Sequence, residues 1–148
     1  MRSTSPAQTR AMGEMLSHVL QPGDVLILNG DLGAGKSEFT RGIAKGLGIS
    51  GPVPSPSFTI MNVYQDGRVP LYHFDWYRLN SSEELYEMGL DEYLQGDGIA
   101  VVEWPSQCQD AIPESCLNVC FQSYGENERE ITLIPQGSFR TITWEELK

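Results

Sequence analysis

Eight residues near the start of the chain, Gly30 Asp31 Leu32 Gly33 Ala34 Gly35 Lys36 Ser37, have the spacing GxxxxGK[S/T] of a phosphate-binding loop. Glycines let the backbone wrap until consecutive amide N–H groups point into one concavity, which cradles phosphate oxygens. At this spacing Lys36 reaches the β- and γ-phosphates of a nucleoside triphosphate, and Ser37 sets its hydroxyl on a magnesium ion. Ser37 also opens a helix whose N-terminal dipole end favours an anion. A glycine-rich turn that only joined two elements would need neither the lysine nor the hydroxyl.

A second chemical signal is the run Gly98 Ile99 Ala100 Val101 Val102 Glu103, apolar and β-prone up to a terminal carboxylate. Such a run suits a strand buried on both faces beside the loop strand in a parallel sheet. Glu103 is then placed to bind or orient the magnesium, the alternative being a surface salt bridge. Ser57 is a third candidate. It ends the stiff segment Ile49 Ser50 Gly51 Pro52 Val53 Pro54 Ser55 Pro56 Ser57, which is either an exposed connection or a switch that closes on the γ-phosphate through that hydroxyl. His73 and Asp75 are too few for a metal site of their own, and a hydrogen-bonded structural histidine is the simpler reading.

The elements that must position these groups are legible around them. Asp24 to Asn29 is an apolar run of strand length before the loop, and Phe39, Ile43 and Leu47 recur every fourth residue after it, so the loop joins a strand to a helix. Ser5 Pro6 Ala7 Gln8 starts an earlier helix with Ser5 as N-cap, and Met12, Met15, Leu16 and Val19 form its apolar stripe. That helix reads as a structural cover, with Thr9 a secondary candidate for contact with a nucleotide base. Phe58–Tyr64 and Val69–Asp75 read as a hairpin around Asp66 Gly67, with Asp75 on the strand face opposite Tyr72, Phe74 and Trp76. Ser81–Met88 is a short capped helix bearing a solvated acidic face. Leu117–Tyr124 and Glu130–Ile134 alternate like antiparallel strands. Residues 137–148 offer two readings: a short helix capped at Thr143, or a flexible tail that a partner orders. Nothing in this last third suggests catalysis.

Composition bounds the rest. A chain of 148 residues suits one domain with a real core, and the expected fold is a single α/β domain of the P-loop NTPase type, a mixed, mostly parallel sheet flanked by helices. No window approaches eighteen apolar residues and the N-terminus does not read as a signal peptide, so a cytoplasmic location is expected. Cys108, Cys116 and Cys120 lack zinc-ligand spacing, and on one strand Cys116 and Cys120 would stand about 13 Å apart, too far for a disulfide. The net charge of −10 argues against broad direct contact with a nucleic-acid backbone.

Five blocks in order, GDLGAGKSEFTRGIAKGLG (Gly30 to Gly48), SPSFTIMNVY (Ser55 to Tyr64), HFDWYRL (His73 to Leu79), EELYEMGLDEYL (Glu83 to Leu94) and VVEWP (Val101 to Pro105), resemble the bacterial TsaE (YjeE) family. The resemblance covers about residues 5 to 113. It implies a small cytoplasmic magnesium-dependent ATPase that acts with TsaB and TsaD to make threonylcarbamoyladenosine at adenosine 37 of tRNA, the RNA being held mostly by those partners. It further implies that Gly30, Asp31, Leu32, Gly33, Ala34, Gly35, Lys36 and Ser37 hold the phosphates of ATP or ADP and that Ser37 and Glu103 ligate Mg2+. By the same resemblance Asp75 orients the attacking or a metal-bound water, Ser57 is the switch residue, and Trp104 lies beside the nucleotide. Arg78 is either a stabiliser of transition-state charge or a structural ion-pair member. Three positions depart from the family pattern: serine replaces the usual threonine at Ser37 and Ser57, and Glu38 replaces a second hydroxyl, bringing a carboxylate near the α-phosphate. Two rival functions use the same loop: a small-molecule kinase, for which no lid segment is evident, and a nucleotide-dependent assembly module that binds without cutting.

Overall fold

A strand that is apolar at four successive positions has no face to give to water, and the two such runs in this chain lie side by side at the centre of one sheet. The computed structural model describes residues 1–31, 33–56 and 59–148. In chain order the elements are β1 (Arg2–Ser3), α1 (Pro6–Ser17), β2 (Val25–Asn29), α2 (Lys36–Gly46), β3 (Met61–Tyr64), β4 (Leu71–Asp75) and α3 (Ser82–Glu87). A 3-10 turn at Leu90–Tyr93, β5 (Ile99–Glu103), a 3-10 stretch at Pro105–Ala111, β6 (Cys116–Tyr124), β7 (Glu128–Gln136) and α4 (Trp144–Leu147) follow.

The sheet runs β1-β7-β6-β2-β5-β4-β3. Its four central strands, β6, β2, β5 and β4, are mutually parallel, and antiparallel partners close both sides. This is the mixed α/β domain expected from the sequence. Alternation along the strands sorts the core into two layers. Leu26 and Leu28 pack with Val101, Leu71 and the α1–α2 side chains Met12, Leu16, Phe39 and Ile43. Val25 and Ile27 pack on the other face with Phe74, Trp76, Val102, Leu85 and Cys108. Tyr72, Phe74 and Trp76 therefore share the face opposite Leu71, His73 and Asp75, as the strand pattern predicts.

The two ends of the chain add local detail. Gln8 does reach back at the start of α1, but its Oε1 accepts from the Thr4 amide and hydroxyl, one residue earlier than a capping box, while Ser5 Oγ accepts from the Gln8 amide. The end of the chain is packed. Trp144 is buried, its Nε1–H donates to the Ile131 carbonyl at 2.9 Å, and its ring meets Phe39 edge-on at 6.5 Å. Arg140 grips both carboxylate oxygens of Asp24 at 3.0 and 2.7 Å, and Thr143 and Glu146 form a reciprocal cap. Of the two readings for residues 137–148, the capped helix is the one seen. No helix among the described residues is long and apolar enough to cross a membrane.

Candidate nucleotide site

Register brings the site residues to one edge of the sheet. Leu28 is level with Glu103 on β5, and Glu103 is level with Asp75 on β4. The loop that leaves β2 therefore begins beside two carboxylates at the ends of adjacent parallel strands, spaced about 4.8 Å per strand. Strand alternation turns both toward the layer that contains α2. A ligand crevice at the carboxyl ends of parallel strands is what an open α/β sheet offers.

The loop itself takes the conformation its glycines permit. Gly33 and Gly35 have φ of +81° and +99°, and Gly35 serves as the N-cap of α2 with no side chain to cap it, leaving amides of the first turn free to face an anion. Ala34 is buried and its amide closes a turn on the Asp31 carbonyl at 3.0 Å. Gly30 fits against Phe121, whose Cβ would lie 2.9 Å from a Cβ at position 30.

Lys36 Nζ donates to the Gly30 carbonyl at 2.8 Å and sits 3.6 Å from the centroid of the Trp104 ring. Burial pushes its ammonium below the ordinary lysine range, against the opposing pull of the Glu103, Asp75 and Asp31 carboxylates. Trp104 follows Glu103 in a left-handed conformation, φ 56° and ψ 60°, and Tyr77 meets its ring edge-on at 5.3 Å. Positive φ is uncommon for a bulky residue, and here it swings the indole over the loop lysine.

Lys36, Ser37, Asp75, Glu103 and Trp104 line one cleft of about 300 Å³ together with Gly33, Gly35, Glu38, Arg41 and Ser55. Asp75 is held in place by the Tyr77 amide, which donates to its Oδ1 at 2.9 Å. Glu103 is 4% exposed, and its Oε2 lies 2.5 Å from His73 Nε2. His73 is thus the hydrogen-bonded histidine the sequence suggested, with the partner now identified. Every group here able to bind a metal through Ser37, Asp75 or Glu103 offers oxygen, the donor set magnesium prefers, and magnesium needs only one or two protein carboxylates when phosphates complete its shell. Among the described residues, no group of three or more histidine, cysteine or acidic side chains is arranged to hold a metal ion without such phosphates.

Glu38 does not point a bare charge at the cleft. Arg41 Nη1 donates to its Oε1 at 2.8 Å, and Arg10 Nη1 lies 3.5 Å from its Oε2. Thr9 lines a second, smaller cavity of about 130 Å³ that shares Gly33, Gly35 and Glu38 with the first. Its hydroxyl is bonded to Ser3 Oγ at 2.7 Å. Asp31 is exposed outside both cavities. Leu32 and Ser57 lie outside the described residues. A larger groove of about 480 Å³ runs between the second half of α2 and residues 49–54, but no carboxylate or hydroxyl lines it.

Sequence reasoning missed Arg129. It belongs to the C-terminal third, in which no residue was assigned to the site, yet its guanidinium reaches the carbonyls of Gly33 and Ala34 in the phosphate loop at 2.9 and 3.1 Å. The separation of about a hundred residues leaves no local signal for this contact.

Comparison with known proteins places these features in a family context. The family model described as "Threonylcarbamoyl adenosine biosynthesis protein TsaE" matches residues 3–131. A tRNA threonylcarbamoyladenosine biosynthesis protein TsaE from Bacillus subtilis is 44% identical over 146 residues, covering 99% of this chain and 91% of the relative. The protein of the same name from Treponema pallidum is 38% identical over 131 residues, 88% of this chain and 96% of the relative. A crystal structure of Bacillus subtilis YdiB superposes with a TM-score of 0.81 at 41% identity, covering 99% of this chain and 88% of that one.

Proposed function

The chain belongs to the TsaE family, and from that premise we propose that it is a magnesium-dependent ATPase that serves tRNA threonylcarbamoyladenosine biosynthesis together with TsaB and TsaD proteins. The observation that carries the catalytic part of this reading is the convergence of Lys36, Ser37, Asp75 and Glu103 on one cleft at the carboxyl edge of the parallel strands.

In this reading the amides of the loop and of the first turn of α2 hold the β- and γ-phosphates, and Lys36 exchanges its contact with the Gly30 carbonyl for a phosphate oxygen. Its incomplete solvation in the free protein favours that exchange. Ser37 and Glu103 hold Mg2+, which would neutralise charge on the phosphates. His73 fixes the Glu103 carboxylate from behind. Asp75, restrained by the Tyr77 amide, orients water, and Ser57 completes the γ-phosphate side. Trp104 borders the phosphates, while the smaller cavity beside Thr9 receives the base. Catalysis in such a site is mostly positioning and charge stabilisation, so slow turnover by the isolated chain is expected until a partner completes it. The net charge of −10 leaves tRNA contact chiefly to the partners, and the expected setting is the cytoplasm.

Binding of ADP and release of phosphate from ATP, each with Mg2+, test the assignment. Lys36→Ala should lose both, and Glu103→Gln, which preserves a hydrogen-bonding atom for His73, should keep the fold and lose hydrolysis. Unchanged turnover in both variants would sink the assignment. Binding of ATP with no phosphate release, even with TsaB and TsaD present, would favour the assembly-module reading instead.

A further inference from the structure

Arg129 spends all its hydrogen-bonding capacity on main chain. Its Nε donates to the Ala34 carbonyl at 3.1 Å and its Nη2 to the Gly33 carbonyl at 2.9 Å. The remaining N–H groups go to the carbonyls of Glu126 at 2.9 Å and Gly125 at 3.2 Å, in the turn between β6 and β7, and of Glu128 at 2.9 Å, the first residue of β7. A guanidinium has five donors, and each finds a carbonyl here. Among the described residues it forms no ion pair, so its positive charge remains beside the loop uncancelled by a bonded carboxylate.

We propose that Arg129 is the positioning residue of the phosphate loop, a fork that holds the loop in its binding conformation before nucleotide arrives and ties it to the β6–β7 turn. The inference rests on the nucleotide reading above. In a trans peptide the C=O and N–H point in opposite directions. Pinning the Ala34 carbonyl therefore aims the Gly35 amide away from Arg129, and Gly35 lines the cleft as well as the smaller cavity beside Arg129. Pinning the Gly33 carbonyl supports the companion plane, whose Ala34 amide closes on Asp31. These planes flank glycines at positive φ, the residues that lose most conformational entropy on ordering. A loop ordered in advance spares that loss at the moment of binding.

The fork also explains why lysine would not serve. An ammonium on a flexible stem has no planar pair of donors to span two successive carbonyls and a turn. The β6–β7 turn is held independently at its other edge, where Arg2 bonds Glu128 at 3.2 Å and covers the Tyr124 ring at 4.4 Å. That contact supplies a control that loosens the hairpin without touching the loop.

The test is calorimetric titration with ADP and Mg2+ on the wild type, Arg129→Lys, Arg129→Gln and Arg2→Ala, paired with amide hydrogen exchange of residues 33–36 in the nucleotide-free proteins. Both Arg129 variants should weaken ADP binding roughly tenfold or more and speed exchange in the loop, with lysine giving no rescue, while Arg2→Ala leaves ADP affinity unchanged. Wild-type affinity and exchange in folded Arg129→Lys would overturn the proposal, as would equal weakening by Arg2→Ala. Failure of both Arg129 variants to fold would also overturn it, by making the residue a requirement for folding. If the wild type itself binds no ADP, the nucleotide reading fails instead, and the exchange measurement still decides the fork.

Discussion

Glu103 shows how much a single residue's meaning depends on its neighbours. A carboxylate at the end of an apolar strand is ambiguous, but this one is level with Asp75, 4% exposed and bonded to His73, which fixes it at the cleft. Lys36, Ser37 and Glu103 were legible in sequence because the loop motif fixes spacing over a few residues and the strand fixes its own end. The partner of His73 was not, since a strand pattern gives faces and leaves cross-strand register open. Arg129 was wholly hidden, because its acceptors are main-chain carbonyls that carry no residue identity. At this scale we expect His73→Ala to lower the affinity for Mg2+ measured by titration in the presence of ADP, leaving nucleotide binding without metal unchanged. Equal metal affinity in wild type and variant would show that Glu103 needs no orienting partner.

Helices α1 and α2 carry the loop, and they do so through close backbone contact. A Cβ on Gly42 would lie 1.9 Å from the Arg10 carbonyl oxygen, and one on Gly13 would lie 2.2 Å from the Phe39 carbonyl oxygen. Alanine at position 42 gains helix propensity of at most about 1 kcal/mol yet forces two backbones apart. Gly42→Ala should therefore destabilise the protein by about 1–3 kcal/mol in urea unfolding, and a stabilised variant would show that the helices can separate freely. Periodicity revealed both helices, and the short turn at Asp66 Gly67 revealed the β3–β4 hairpin. Periodicity alone did not say which glycines were contact points, because a residue without a side chain leaves no mark on a hydrophobic pattern. The last helix is similar: one turn is too short for periodicity, and its order comes from Trp144 seated on Phe39 and Ile131. Trp144→Ala should cost about 3–5 kcal/mol in the same measurement.

For the molecule as a whole, the two core layers and the carboxyl edge of the sheet were predictable once two buried runs were recognised, while the sheet order was not. Packing across that order creates at least one strongly shifted group. Tyr72 is buried, its hydroxyl donates to Asp97 Oδ1 at 2.5 Å, and burial followed by that bond raises the phenol to about 12. Its ordinary value is 10.0, so the folded state retains the proton more tightly than the unfolded chain. The associated stability is complete below pH 10.0 and is lost as the pH rises through about 12. Urea midpoints should fall more steeply across that window in wild type than in Tyr72→Phe, and parallel curves would exclude the contribution.

On the proposed reading, a cleft built from the loop, β4 and β5 hydrolyses ATP, with partner proteins setting the pace. The most direct measurement is Mg2+-dependent phosphate release from ATP by the wild type and Glu103→Gln, each alone and with TsaB and TsaD. Slow release by the wild type that rises when both partners are added, and no release by Glu103→Gln in either condition, is the predicted result. Equal release by the two proteins, or none from the wild type with both partners present, would contradict it.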